Sequence, residues 1–166
     1  MKQLILTRHA KSSWDSPDLA DKDRPLNARG HEAAQKIGQW LAKQGYCPDQ
    51  VLCSTAQRCR ETWDDIRPAL KGSPKAAYVD LLYLASDADM LEVLQTATGD
   101  TVMILGHMPG IGSFATDLRR DPPPLHGSFS KYPTAATTVL EFNVEDWGQA
   151  RLGLGKFVDY VTPRDL

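Results

Sequence analysis

The sequence predicts an α/β domain of three layers, with helices on both faces of a mostly parallel central sheet. The apolar runs at 4–6, 50–53 and 101–105 are short and continuous rather than alternating, as strands buried on both faces require. Each run breaks into polar residues and is then followed by a stretch with helical apolar spacing. These units alternate along the chain with no internal repeat, low-complexity tract or linker between them, which is the pattern of strands joined by helical crossovers. A chain of 166 residues, 42% of them hydrophobic, can bury one sizeable core, so a single domain spanning 1–166 is expected.

Taken in order, the first strand at 4–6 ends in Thr7-Arg8-His9, and the polar segment 12–27, with Pro17 and Pro25, reads as a loop. Ala33, Ala34, Ile37, Trp40 and Leu41 recur at helical spacing until Gly45. A second strand at 50–53 leads into a helix opened by Thr55-Ala56-Gln57, with Arg58 in its first turn, carrying Thr62, Trp63, Ile66 and Leu70 until Lys71-Gly72. The third cycle comprises a strand at 78–83, a helix from about 87 to 98 and the strand 101–105, which stops at Gly106-His107-Met108-Pro109-Gly110. A helix at 111–118, a loop at 121–132 and two late strands at 137–142 and 151–160 follow, the last pair antiparallel and toward a sheet edge.

Composition narrows the function. Nineteen basic residues against twenty-one acidic ones leave a net charge of −2, without long runs of one sign, so neither nucleic acid nor a membrane surface is indicated as a partner. Cys47, Cys53 and Cys59 are six residues apart, which fits neither zinc nor redox spacing, and they read as reduced thiols in or near the core. The apolar run after Lys2 is too short for a signal peptide or a membrane span, and a soluble cytoplasmic protein is the expectation.

In open parallel sheets, ligands bind beyond the carboxyl ends of the strands. His9, Arg58 and His107 each follow a different strand, so a parallel sheet delivers all three to one edge, with Arg8 beside them. Two histidines and two arginines suit a phosphoryl group, because the planar guanidinium pairs with phosphate oxygens in two-pronged fashion. Arg8 and Arg58 would neutralise the oxygens, work that other phosphoryl-transfer enzymes give to a metal, so neither metal nor cofactor is required. Neighbouring cations should depress the pKa of His9 and leave a ring nitrogen free to attack phosphorus, while His107 donates a hydrogen bond to the oxygens. Thr7 and Ser54 are candidates to assist through hydroxyl or backbone contacts, but solvent exposure and turn chemistry explain their strand-end positions equally well.

These residues resemble a known pattern. Thr7-Arg8-His9-Ala10 is similar to the signature of the histidine phosphatase superfamily, which includes the phosphoglycerate mutases. Arg24-Pro25-Leu26 with Arg29-Gly30, the segment Ser54-Thr55-Ala56-Gln57-Arg58-Cys59-Arg60-Glu61-Thr62, and Gly106-His107-Met108-Pro109-Gly110 fall in that superfamily's order. The resemblance covers nearly the whole chain, including Pro133-Thr134-Ala135-Ala136, and is nearest the SixA-like phosphohistidine phosphatase branch. It implies a phosphoglycerate mutase-like fold, His9 as the phosphorylated nucleophile, and Arg8, Arg58 and His107 as the phosphate pocket.

Where mutase-like members carry a proton-donating glutamate, this chain has Tyr83. Imidazole leaves phosphorus more readily than an alkoxide, so loss of the acid favours phosphohistidine as substrate. The expected partner is then a phosphohistidine-bearing protein such as a histidine phosphotransfer domain. Asp80 as a replacement acid would instead admit small phosphate esters, and a phosphohistidine-binding module with little turnover is a third reading. A metal hydrolase is disfavoured, since His9 and His107 lack metal-ligand spacing. Arg24 either touches substrate or pairs with Asp21 or Asp23, and Lys11 is a further substrate-contact candidate. His31 and His126 read as structural, Trp40 and Trp63 as core, and Trp14 as either a docking contact or loop packing.

Overall fold

A computed structural model describes residues 1–72 and 74–166. Its six strands form one sheet in the order β3-β2-β4-β1-β5-β6: β1 (Lys2–Arg8), β2 (Gln50–Ser54), β3 (Ala76–Val79), β4 (Thr101–Gly106), β5 (Thr137–Phe142) and β6 (Lys156–Val161). The pairs β3·β2, β2·β4 and β4·β1 are parallel, whereas β5 runs antiparallel to both β1 and β6. The helices are α1 (Ala28–Gln44), α2 (Gln57–Ile66), α3 (Asp87–Gln95) and α4 (Gly110–Leu118).

The continuous apolar strands are buried on both faces, as their sequences demand. In β1, Leu4 and Leu6 point into one core with Met90 and Val93 of α3 and Phe114 of α4, while Ile5 points into the opposite core with Ile37 and Leu41 of α1 and Trp63 of α2. In β4, Val102 and Ile104 join the first core and Met103 and Leu105 the second. This strict alternation between two apolar layers is what a central strand of a three-layer fold must show. Asn27 caps α1 by accepting the Gly30 N–H at 2.8 Å, and Gly45 ends the helix in the left-handed region, at φ 78°.

Several boundaries move. The second helix breaks at Ile66, because Pro68 enters a 3₁₀ turn over Arg67–Ala69 instead of continuing to Leu70. The strand read over 78–83 ends at Val79, and a 3₁₀ turn covers Asp80–Leu82. The last strand starts at Lys156, not at Arg151. The alternation that suggested an earlier start falls where Gly153 turns the chain at φ 81° and Leu152 and Leu154 face solvent. Cys53 and Cys59 are buried, but Cys47 is exposed, contrary to the expectation that all three thiols lie in or near the core. Trp63 is buried in the core, while Trp40 packs against it half-buried.

Candidate active site

Strand register brings the two histidines together. Arg8 on β1 pairs with Gly106 on β4, so the residues that follow, His9 and His107, leave the sheet side by side. The His9 N–H donates to the Gly106 carbonyl at 3.0 Å, and the two imidazole rings lie 5.4 Å apart. Arg58 reaches the same edge from the first turn of α2, which starts immediately beyond β2. Three distant segments thus meet at the carboxyl ends of parallel strands, as the topology requires.

His9 is buried, and its Nδ1 lies 2.7 Å from the Ala10 carbonyl. A carbonyl can only accept, so Nδ1 carries the proton and Nε2 keeps its lone pair. The imidazole is pushed down to about 4, by burial first and then by the charges of Arg58, Arg8 and Arg24. The cations expected from the sequence do act, but desolvation is the larger cause. The backbone around the ring is also fixed. Thr62 Oγ accepts the Ala10 N–H at 2.9 Å and donates to the Arg58 carbonyl at 2.7 Å, tying the end of β1 to α2. Gly30 lets the opening turn of α1 press on the same loop, where a Cβ at this position would stand 2.1 Å from the Lys11 carbonyl oxygen.

A cavity of about 300 Å³ opens beside His9, lined by Arg8, Lys11, Ser12, Trp14, Arg24, Arg58 and Thr134. Four of these side chains are cationic and none is acidic, which makes the cavity a receptor for an anion. Arg8 donates through Nη1 to the Tyr132 carbonyl at 3.0 Å, but its buried Nε has no partner among the described residues. An unpaired buried donor is costly to leave unmade, and an anion in the cavity can accept from it. Arg24 combines both roles weighed for it: it pairs with Asp21 at 3.0 Å and also walls the cavity, its guanidinium 3.4 Å over the exposed Trp14 ring. Lys11 lines the cavity as well. Asp80 does not: it faces solvent and meets Lys22 Nζ at 3.3 Å.

His107 stands behind Arg58, buried and outside the cavity lining. Its Nδ1 accepts from Arg58 Nη2 at 3.3 Å, and its Nε2 lies 2.7 Å from Ser54 Oγ, so the two contacts are matched by a neutral ring. Burial, then Arg58, then His9 push this imidazole down to about 3. Arg58 itself is held by Asp21, through Nη1 to the main-chain carbonyl at 2.8 Å and Nη2 to Oδ2 at 3.1 Å. Tyr83 donates its hydroxyl to the same Oδ2, with its ring edge-on to His107 at 5.4 Å.

Sequence reasoning does not reach the contacts that Ser54 makes with His107, Thr62 with Ala10, and Asp21 with Arg58 and Tyr83. Ser54 and Thr62 were within the motif already read, one turn of chain on either side of Arg58, but only the folded contacts show what their hydroxyls do. His31 and His126 are structural, as expected. His31 pairs with Asp65 at 2.6 Å between α1 and α2, and His126 with Asp165 at 2.9 Å near the carboxyl end.

The fold and the anion-receiving cavity beside a neutral histidine define the class as an α/β phosphatase. The chain belongs to the histidine phosphatase superfamily: the model for branch 1 of that superfamily matches residues 4–79, and its fold is the phosphoglycerate mutase-like one. It is 34% identical over 166 residues to an uncharacterised protein of Mycobacterium tuberculosis, covering 95% of this chain and 99% of the relative. It is 24% identical over 120 residues to the phosphohistidine phosphatase SixA of Escherichia coli, covering 70% of this chain and 73% of SixA. Among solved structures, a SixA-type structure from Nakamurella multipartitia superposes with a TM-score of 0.81 at 28% identity, over 98% of this chain and 96% of the other.

Proposed function

We propose that this phosphatase removes phosphate from phosphohistidine on a protein, through a covalent intermediate on His9. The observation that carries the reading is the proton placement on His9: Nδ1 is committed to the Ala10 carbonyl, and Nε2 is left unprotonated beside a cavity walled by Arg8, Arg24, Arg58 and Lys11. In the first step His9 Nε2 attacks phosphorus, and the bond from phosphorus to the substrate nitrogen breaks with its electron pair returning to that ring. In the second step water attacks the phosphorylated His9 and releases inorganic phosphate. The guanidinium groups of Arg8 and Arg58 hold the phosphoryl oxygens through both transfers, and His107 donates from Nδ1 once Arg58 turns toward the phosphate. The charge that a metal would supply comes from these arginines.

A cavity edged by the exposed Trp14 suits a histidine presented on a protein surface, and a histidine phosphotransfer domain is the partner of matching chemistry. Hydrolysis of an alkyl phosphate ester needs an acid for the departing alkoxide, and Asp80, exposed and paired with Lys22, does not line the cavity. The test compares wild type with His9→Ala on a phosphohistidine-bearing protein and on a panel of small phosphate esters, in the presence of a chelator. Fast release from phosphohistidine that requires His9 is expected. Equal turnover of the esters would make the enzyme a general phosphatase, and binding without release would make it a reader of phosphohistidine.

A further inference from the structure

The position that carries a glutamate in mutase-like members holds Tyr83, yet the site does not lack a carboxylate. The Tyr83 hydroxyl is spent on Asp21 Oδ2, and Asp21 arrives from a different segment, the 3₁₀ turn Asp21–Asp23 in the loop after β1. Arg58 Nη2 donates to the same oxygen at 3.1 Å, and Arg24 Nη1 donates to the other at 3.0 Å. Both arginines wall the cavity, so the carboxylate is one hydrogen bond away from the cavity on two sides, and its side chain is about half exposed, at 47%. Three donors from three parts of the chain hold a fixed anion just behind the cationic lining of the cavity, against Arg24 and Arg58.

Such a carboxylate cannot serve as the missing acid. The Tyr83 hydrogen bond is the largest of the effects that bring it down to about 2, with the Arg58 hydrogen bond next among those acting in that direction, so it is ionised at neutral pH. Its effect on a departing group is therefore electrostatic, and the sign depends on what departs. A phosphohistidine ring reacts best when its second nitrogen is protonated. As the bond to phosphorus breaks, the electron pair returns to the ring, the cation becomes a neutral imidazole, and the N–H remains a donor throughout. A carboxylate that accepts this N–H stabilises the reactive, protonated ring, and no proton changes hands. An ester oxygen gathers negative charge as it leaves, and the same carboxylate opposes it.

Building on the phosphohistidine reading above, we propose that Asp21, held by Tyr83, Arg24 and Arg58, is a specificity-determining residue that accepts the ring N–H of a departing imidazole and disfavours groups that leave as oxyanions. Asp21→Asn is the informative change. It removes the charge while leaving an amide oxygen for Tyr83 and Arg58, and the Asp21 main-chain carbonyl continues to hold Arg58 Nη1.

The experiment measures kcat/KM for free phosphohistidine and for p-nitrophenyl phosphate with wild type, Asp21→Asn and Tyr83→Phe. The ratio of phosphohistidine to aryl ester turnover is expected to fall at least about tenfold in Asp21→Asn, the worth of one charge-assisted hydrogen bond. It should fall less in Tyr83→Phe, where the carboxylate keeps its charge but loses one tether. An Asp21→Asn protein in which both activities drop by the same factor would overturn the proposal and reduce Asp21 to a support for Arg58. If Asp21→Asn fails to fold, Asp21→Ser, which also removes the charge, is measured in its place, and an unchanged ratio there has the same force. Wild type active on phosphohistidine with a ratio insensitive to either change sinks the selectivity alone, whereas wild type inactive on phosphohistidine sinks the substrate assignment as well.

Discussion

Replacing Ser54 by alanine should damage both stability and catalysis, by amounts that follow from one shared oxygen. Ser54 Oγ lies 2.7 Å from His107 Nε2 and accepts the Ala56 N–H at 3.2 Å, and Ser54 is fully buried. Each buried group left without its partner costs about 1–3 kcal/mol. The Cys59 sulfur, 3.6 Å from His107 Nε2, offers only weak compensation. A loss of about 2 kcal/mol is expected, read as a lower urea midpoint with an unchanged slope. The catalytic effect rests on proton placement. Arg58 donates to His107 Nδ1, so the ring proton sits on Nε2 and points at Ser54. To donate to a phosphoryl oxygen, Nδ1 must carry the proton, and Nε2 must then accept one. A hydroxyl can turn from acceptor to donor, and a methyl group can do neither. The Nδ1-protonated form in Ser54→Ala leaves a buried lone pair unmatched, so kcat/KM should fall roughly 10- to 100-fold. Ser54→Thr, which keeps the hydroxyl, should recover most of the loss. A Ser54→Ala enzyme that is destabilised yet turns over within twofold of wild type would refute the reasoning.

Three further outcomes follow from the geometry. In histidine NMR titrations, the His9 ring should stay neutral until about pH 4 instead of charging near 6.5. Because its folded pKa is lowered, the unfolded chain binds the extra proton between those values. Stability should therefore fall as pH drops through that window, by about 3 kcal/mol from this ring, and a His9→Gln variant should lack that share of the pH dependence in urea unfolding. Gly30→Ala forces a Cβ against the Lys11 carbonyl at 2.1 Å and should lower stability by about 1–3 kcal/mol, with a matching drop in Tm; an unchanged Tm would show that the loop yields freely. Thr62→Val keeps the shape but strands the Ala10 N–H, for about 1–3 kcal/mol in thermal or urea unfolding, and loosens the backbone beside His9 enough to reduce kcat more than KM.

Much of this architecture is legible in the sequence because the physics behind it is local or periodic. Continuous apolar runs reveal the central strands, and a strand end followed by polar residues marks where His9, Arg58 and His107 emerge. Their meeting then follows from parallel order and from the register that sets Arg8 opposite Gly106. What the sequence does not disclose depends on distances between loops. The helix break at Pro68 and the turn at Gly153 were visible as residues but were outweighed by the apolar spacing around them. Asp21 pairs with Arg24, as its closeness in sequence suggests, yet nothing in its sequence neighbourhood indicates that Tyr83 and Arg58 converge on the same carboxylate.

That convergence also explains how the cationic side chains are held close together. Arg8, Arg24 and Arg58 gather around one small cavity, and in a partly buried setting their mutual repulsion is poorly screened; the lowered pKa of Arg8, from burial and then from Arg58, reflects it. Asp21 offsets part of this repulsion by bridging Arg24 on one oxygen and Arg58 on the other, and the neutral state of both histidines adds no further positive charge. Among the described residues Arg8 has no such counter-charge, and its Nε is the donor in this cavity left unpaired. An arriving phosphoryl group is therefore most strongly required on the Arg8 side of the cavity, next to His9, whereas the Asp21 side already has its anion. Under the mechanism proposed above, this asymmetry would orient a substrate with its phosphoryl oxygens toward Arg8 and His9 and its leaving group toward Asp21, the orientation that attack by His9 Nε2 would demand.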